Sequence, residues 1–201
     1  MMDRGNGPLT RRGFCGMAVV ALFGLATPAM ANTAAEDYVT GIAEEVMRLA
    51  NKGKKGPGLK SQFAALLNRY INLKGIADYA LGPYVKKLPA GQRGEFYSLV
   101  NNYAAALFAY YVEDFRGSKL DIISTTKQGK FTVIQSAITG GGREQVKWRL
   151  VPSGGGFRVA DVNVKGVWLT ISMKDRFSKV LKASKGDFGP LFAELREAET
   201  W

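Results

Sequence analysis

The chain has 201 residues, a formal net charge of +11, a pI near 9.8, no histidine and one cysteine, Cys15. That length suits one domain plus whatever is removed in processing. With no second cysteine there is no internal disulfide, and without histidine neither a Cys/His metal site nor a nucleophile–histidine pair can be built. A serine–lysine pair or carboxylate chemistry remains formally open.

Residues 1–31 read as a cleaved export signal. Thr10-Arg11-Arg12-Gly13-Phe14 is a charged opening, Met17 to Ala26 an apolar run, and Pro28-Ala29-Met30-Ala31 a small-residue cleavage site. The run is too short to span a bilayer. The paired arginines fit either a twin-arginine or an ordinary secretory route. Cys15 precedes the apolar run, the wrong side for a lipidated cysteine. Cleavage after Ala31 removes Asp3, Arg4, Arg11 and Arg12 and leaves 32–201 at a formal +9. In the periplasm that charge favours anionic headgroups or an acidic partner surface over nucleic acid.

Thr33 to Lys52 carries Tyr38, Ile42, Val46 and Leu49 on one stripe, with acids toward its start, as an amphipathic helix prefers. Asn51 to Gly58 is a glycine-, proline- and lysine-rich loop. Leu59 to Ile71 predicts a second helix with Leu59, Phe63, Leu66, Leu67 and Tyr70 inward. Leu73 to Leu81 predicts a third, bearing Ile76, Tyr79 and Ala80 and stopped by Gly82-Pro83. Pro89 opens a longer helix. Its stripe is Phe96, Val100, Tyr103, Leu107, Tyr110, Tyr111 and Phe115, widened by Leu99 and Phe108. This is more aromatic surface than a two-layer contact needs.

From Gly117 the period falls from 3.6 to 2. Lys119 to Lys127, Phe131 to Thr139, Gln145 to Pro152 and Phe157 to Val164 read as four strands. Short glycine-bearing joins make them an antiparallel meander. Val146, Trp148 and Leu150 share one face of the third strand, with Lys147 and Arg149 opposite. In the fourth, strict alternation puts Phe157, Val159 and Asp161 on one face and Arg158, Ala160, Val162 and Val164 on the other. At Lys165-Gly166 the alternation stops and the chain is expected to bend directly into a helix, Trp168 to Lys185, folded back over the sheet. A last helix runs from Phe188 to Glu199, with Asp187 as its N-cap. The fold class is α+β: a helical first half, a four-stranded antiparallel meander and C-terminal helices enclosing an apolar cavity.

Three segments resemble the MlaC family of periplasmic phospholipid-binding proteins, also described as toluene-tolerance or ABC-transporter auxiliary proteins. Ile76 to Tyr84 (IADYALGPY) is similar to a short helix ending in an LG-x-Y/W step. Pro89 to Phe96 (PAGQRGEF) is similar to a P-x-Q-R-x-x-F helix start. Phe157 to Leu169 (FRVADVNVKGVWL) is similar to the W-K-V-x-D-V-x-V-E-G-V-S-L signature, with Phe157, Lys165 and Trp168 in place of its tryptophan, acid and serine. Relatives associated with hopanoid export share this pattern.

The resemblance implies a soluble carrier without a cofactor. It would hold a phospholipid, or a hopanoid, with its tails between sheet and helices. It would pass that lipid between an inner-membrane ABC transporter complex with a substrate-binding MCE-type protein and an outer-membrane lipoprotein–porin complex, maintaining outer-membrane lipid asymmetry. The candidate lining is Ile42, Val46, Phe63, Leu67, Ile76, Tyr79, Val100, Tyr103, Leu107, Tyr111, Trp148, Val162, Leu169, Met173 and Phe177. Arg93, Lys165 and the lysines of 52–55 are candidates to meet a phosphate or an acidic partner. Asp161 is the one acid inside an apolar strand. A hydrogen-bonded structural role competes there with general-acid chemistry on an apolar substrate, as it does for Asp121. A purely protein-binding adaptor is the third reading.

Overall fold

The computed structural model describes residues 28–52, 56–110, 112–117, 119–140 and 145–198. The leader up to residue 27, the lysines at 54 and 55, and Tyr111 lie outside the described residues.

The first half is helical: α1 (Pro28–Lys52), α2 (Pro57–Tyr70), α3 (Leu73–Leu81) and α4 (Arg93–Tyr110). Pro89 precedes a 3-10 turn, Ala90–Gln92, that leads into α4. The long aromatic stripe does not belong to one helix. It stops at Tyr110, and Phe115 sits in a separate 3-10 turn, Val112–Phe115. Tyr110 is 63% exposed rather than core. The α2 helix ends one residue early. Ile71 is extended, with its φ at −101° and ψ at 142°, and bridges to Val159 of the sheet. The Asn72 amide completes this attachment by donating to the Val159 carbonyl at 2.8 Å.

The sheet is an antiparallel meander of five strands, not four, in the order β1-β2-β3-β4-β5. They are β1 (Lys119–Gln128), β2 (Phe131–Thr139), β3 (Gln145–Ser153), β4 (Gly156–Val164) and β5 (Val167–Trp168). Lys165-Gly166 is therefore not a bend into a helix but a two-residue hairpin turn. Both residues have positive φ, 52° and 85°, the geometry whose twist matches the flanking strands. Val164 pairs with Val167 and Asn163 with Trp168 across it. Only then does α5 (Leu169–Ala183) begin, followed by α6 (Gly189–Glu197). Asp187 does not cap α6 at the expected position. Phe188 is the residue before the helix, and the Asp187 carboxylate accepts from the Gly189 amide at 3.0 Å.

Strict alternation also fails inside β4. Asp161 pairs with Arg149, but Val159 pairs with Leu150, so Ala160 is an extra residue in a bulge. A bulge of one residue shifts the phase of everything beyond it. Val159 and Val162, assigned to opposite faces by alternation, are both buried in the same core.

Two apolar clusters result. One joins α1, α2, the end of α4 and the inner face of the sheet; the other joins α3, the start of α4, α5 and α6. The second is filled by aromatic contact. Phe96 stacks on Phe192 at 6.0 Å between centroids and meets Phe177 edge-on at 6.2 Å.

The β4–β5 turn gives a direct check. At Gly166 a methyl group would meet nothing within 4 Å, so its only penalty is the left-handed backbone. Gly166→Ala should lower unfolding stability by about 1–2 kcal/mol in a urea melt, and no loss would mean that the turn is not of this type.

Candidate functional site

The inner face of the sheet is mostly apolar, with Ser136 a buried polar exception at its centre. Trp148 lies across from Ile134, and Ser136 from Val146. The buried indole N–H of Trp148 donates to Ser136 Oγ at 2.9 Å, and that hydroxyl donates to the Val146 carbonyl at 3.1 Å. The pair satisfies itself, so the indole ring presents only hydrocarbon to the helices.

Between this face and the helices lie two small voids. The first, about 20 Å³, is walled by α1, α2 and the sheet, with Ile42, Val46, Leu67, Trp148 and Val162 among its residues. The second, about 30 Å³, lies toward α3 and α5 and is walled by Ile76, Val162, Leu169 and Met173, among others. A water needs about 10–15 Å³ by this measure, so each void has room for a water or two. These voids lie where the gap between sheet and helices was expected, and neither is of a size to hold an acyl chain. A third, open groove of about 240 Å³ runs between α2 and α4, with Lys60, Ser61 and Asn102 beside Pro57, Ala64 and Ala105.

Several expected lining residues lie elsewhere. Phe63 is buried in the first cluster behind Phe108, with ring centroids 5.8 Å apart. Val100 and Phe177 are buried in the second cluster, where Tyr103 packs edge-on against Phe177. Tyr79 is 49% exposed beneath the Lys174 ammonium, 4.9 Å from its ring centroid. Leu107 is half-buried and off both walls. Sequence reasoning missed Ile71, Val159 and Phe108, which wall both voids. Ile71 was hidden by its place at a helix end and Val159 by the bulge. Phe108 was visible only as a residue beside the main stripe.

The basic candidates also resolve. Arg93 donates to the Val85 carbonyl at 3.3 Å and so braces the chain before α4. Lys165 occupies the hairpin turn, exposed.

Asp161 borders the second void and is 3% exposed. One carboxylate oxygen accepts from the Val162 amide at 2.9 Å and the Thr170 amide at 3.1 Å. The other accepts from the Thr170 hydroxyl at 2.6 Å and from Arg149 at 3.4 Å. Thr170 is the second residue of α5, so the strand supplies the cap and the negative charge that the helix N-terminus lacks locally. Arg149 in turn lies over Trp168, 3.7 Å from its ring centroid, a cation–π contact. Asp161 therefore has a partner across the sheet that its sequence neighbourhood did not reveal. Its acceptor sites are all in use for structure. Among the described residues no group of three or more acids, cysteines or histidines could hold a metal, and no helix is long and apolar enough to cross a membrane.

The model of the MlaC protein family matches residues 41–197. The chain belongs to the MlaC family. MlaC proteins are periplasmic, non-enzymatic lipid-binding proteins, so the reading of Asp161 as a general acid is set aside. No curated protein matches the chain. Among solved structures, it is similar to a phospholipid-binding protein from Ralstonia solanacearum in complex with a phospholipid. The TM-score is 0.68 at 17% identity, covering 85% of this chain and 97% of the other. At that identity the likeness speaks for the shared fold.

Burial raises the Asp161 carboxyl above the usual carboxylate range, against the opposing pull of Thr170, Val162 and Arg149. The native chain then keeps this proton where the unfolded chain has released it. The residue's contribution to stability therefore falls as pH rises from about 4, the unfolded value, through the folded one. Urea melts of Asp161→Asn across that window should show a flatter pH dependence than the parent. Asp161→Ala, which orphans buried donors, should cost about 3 kcal/mol at neutral pH.

Proposed function

We propose that this protein is a periplasmic carrier that shelters lipid acyl chains between its sheet and its helices. It moves them between an inner-membrane ABC transporter complex and an outer-membrane lipoprotein–porin complex. The observation that carries the reading is the conjunction of family membership with an apolar seam. Each residue bordering the first void presents hydrocarbon to it, and the one indole N–H there is satisfied from within the sheet.

A buried methylene gains about 0.8 kcal/mol over water. A tail of about sixteen carbons therefore gains on the order of 12 kcal/mol, a large reserve for driving the helices away from the sheet. The same reserve makes unassisted escape into water slow, so a membrane or partner that favours the open form must assist release. The formal +9 after loss of the leader suits an acidic partner surface or anionic headgroups.

Export is part of the proposal. The helix α1 starts at Pro28, so cleavage after Ala31 would trim its first turn and leave Asn32, a favourable capping residue, near the new start. The purified periplasmic protein should begin at Asn32 by N-terminal sequencing.

Organic extraction of that protein followed by mass spectrometry should release phospholipid. Hopanoid would redirect the ligand within the family. Protein that comes out empty and takes up nothing from liposomes would leave the adaptor reading standing instead.

A further inference from the structure

Four residues wall both voids: Ile71, Phe108, Val159 and Val162. Whatever joins the voids must pass between these four. The two valines belong to β4 and are laddered to Leu150 and Trp148 of β3. Ile71 is fixed by its backbone, through its bridge to Val159 and the adjoining Asn72 bond. Phe108 differs in kind. It stands in the last turn of α4, half-buried, and its ring is held by a stacked contact with Phe115 at 5.2 Å and a tilted one with Phe63 at 5.8 Å.

Displacing either valine or Ile71 requires parting backbone hydrogen bonds, a sub-global opening of the sheet. Displacing Phe108 requires only a rotamer change or a small tilt of the end of α4, a far faster motion. Next to it stand Ala104, on the wall of the second void, and Ala105, side chains too small to block a ring that swings.

We propose that Phe108 is a specificity-determining partition. It divides one acyl-chain compartment into two, and the position of its ring sets how long a chain the protein admits. With the ring in place, a chain entering from the α3–α5 side ends against it. With the ring withdrawn, the two voids and the space of the ring become one continuous slot along β4. This inference rests on the carrier reading and refines it.

The test loads delipidated mature protein from vesicles holding equimolar phosphatidylglycerols with short, medium and long saturated chains, and reads the bound species by mass spectrometry. The parent should favour the shorter chains over the longest by about tenfold or more, the discrimination expected where a pocket wall blocks added methylenes. Phe108→Ala should abolish that preference, and Phe108→Trp should sharpen it. Phe108→Leu keeps most of the apolar bulk without the planar ring; it should relax the preference even if the alanine variant fails to fold. A folded Phe108→Ala or Phe108→Leu variant with the parental chain profile overturns the partition while leaving the carrier intact. Parent protein that loads no lipid overturns the carrier reading, and this refinement with it.

Discussion

The Asp161 carboxylate joins the two halves of the architecture. It sits on β4 just past the bulge, yet it caps α5, the first helix after the sheet. The hairpin at Lys165-Gly166 reverses the chain and brings Thr170 back to the carboxylate. Desolvating a carboxylate is costly, and four donors converge on this one to offset it. Because those donors come from β3, β4 and α5, the position of α5 is fixed to the sheet and not only to its neighbouring helices. The second void lies directly against this junction.

Beside this junction the apolar residues fall into two clusters. Around Phe96, Phe177 and Phe192 the rings pack on one another and α3, α4, α5 and α6 form a filled core. Helix α4 starts in that core with Phe96, Leu99 and Val100 and ends against the other cluster with Ala105 and Phe108. In the other cluster the inner face of the sheet is continuous, with Trp148 and Ser136 satisfying each other. On the carrier reading proposed above, a permanently open slot of the length of a lipid tail would expose apolar surface to water on every wall, which is costly.

Trp168 and Arg149 illustrate how a departure from the family pattern finds its own compensation. The tryptophan stands where serine is usual, and the guanidinium of Arg149 lies over its ring while reaching Asp161. The same arginine also lies 5.7 Å from the Phe131 ring centroid. This edge of the sheet is thus held by one cation shared between two rings and a carboxylate.

The sequence by itself located most of the elements and bounded the chemistry. Periodicity located the helices and the four long strands, because burial on one face imposes a period of 3.6 or 2 on any stable element. The signature from Phe157 to Leu169 pointed to the family that the match over 41–197 establishes. The absence of histidine and of a second cysteine bounded the chemistry. Five of the fifteen expected lining residues border the first void and four the second, with Val162 common to both.

The tertiary structure alone decided which apolar residues face the seam. Local pattern is blind to a bulge that shifts phase by one residue, as at Ala160, and to a helix end that turns out to be a sheet contact, as at Ile71. It is equally blind to the sharing of α4 between two cores, which left Val100 in the filled cluster and Phe108 on the wall of both voids. A side chain's apolarity is a property of one residue, whereas what it packs against depends on where segments far apart in the chain come to rest.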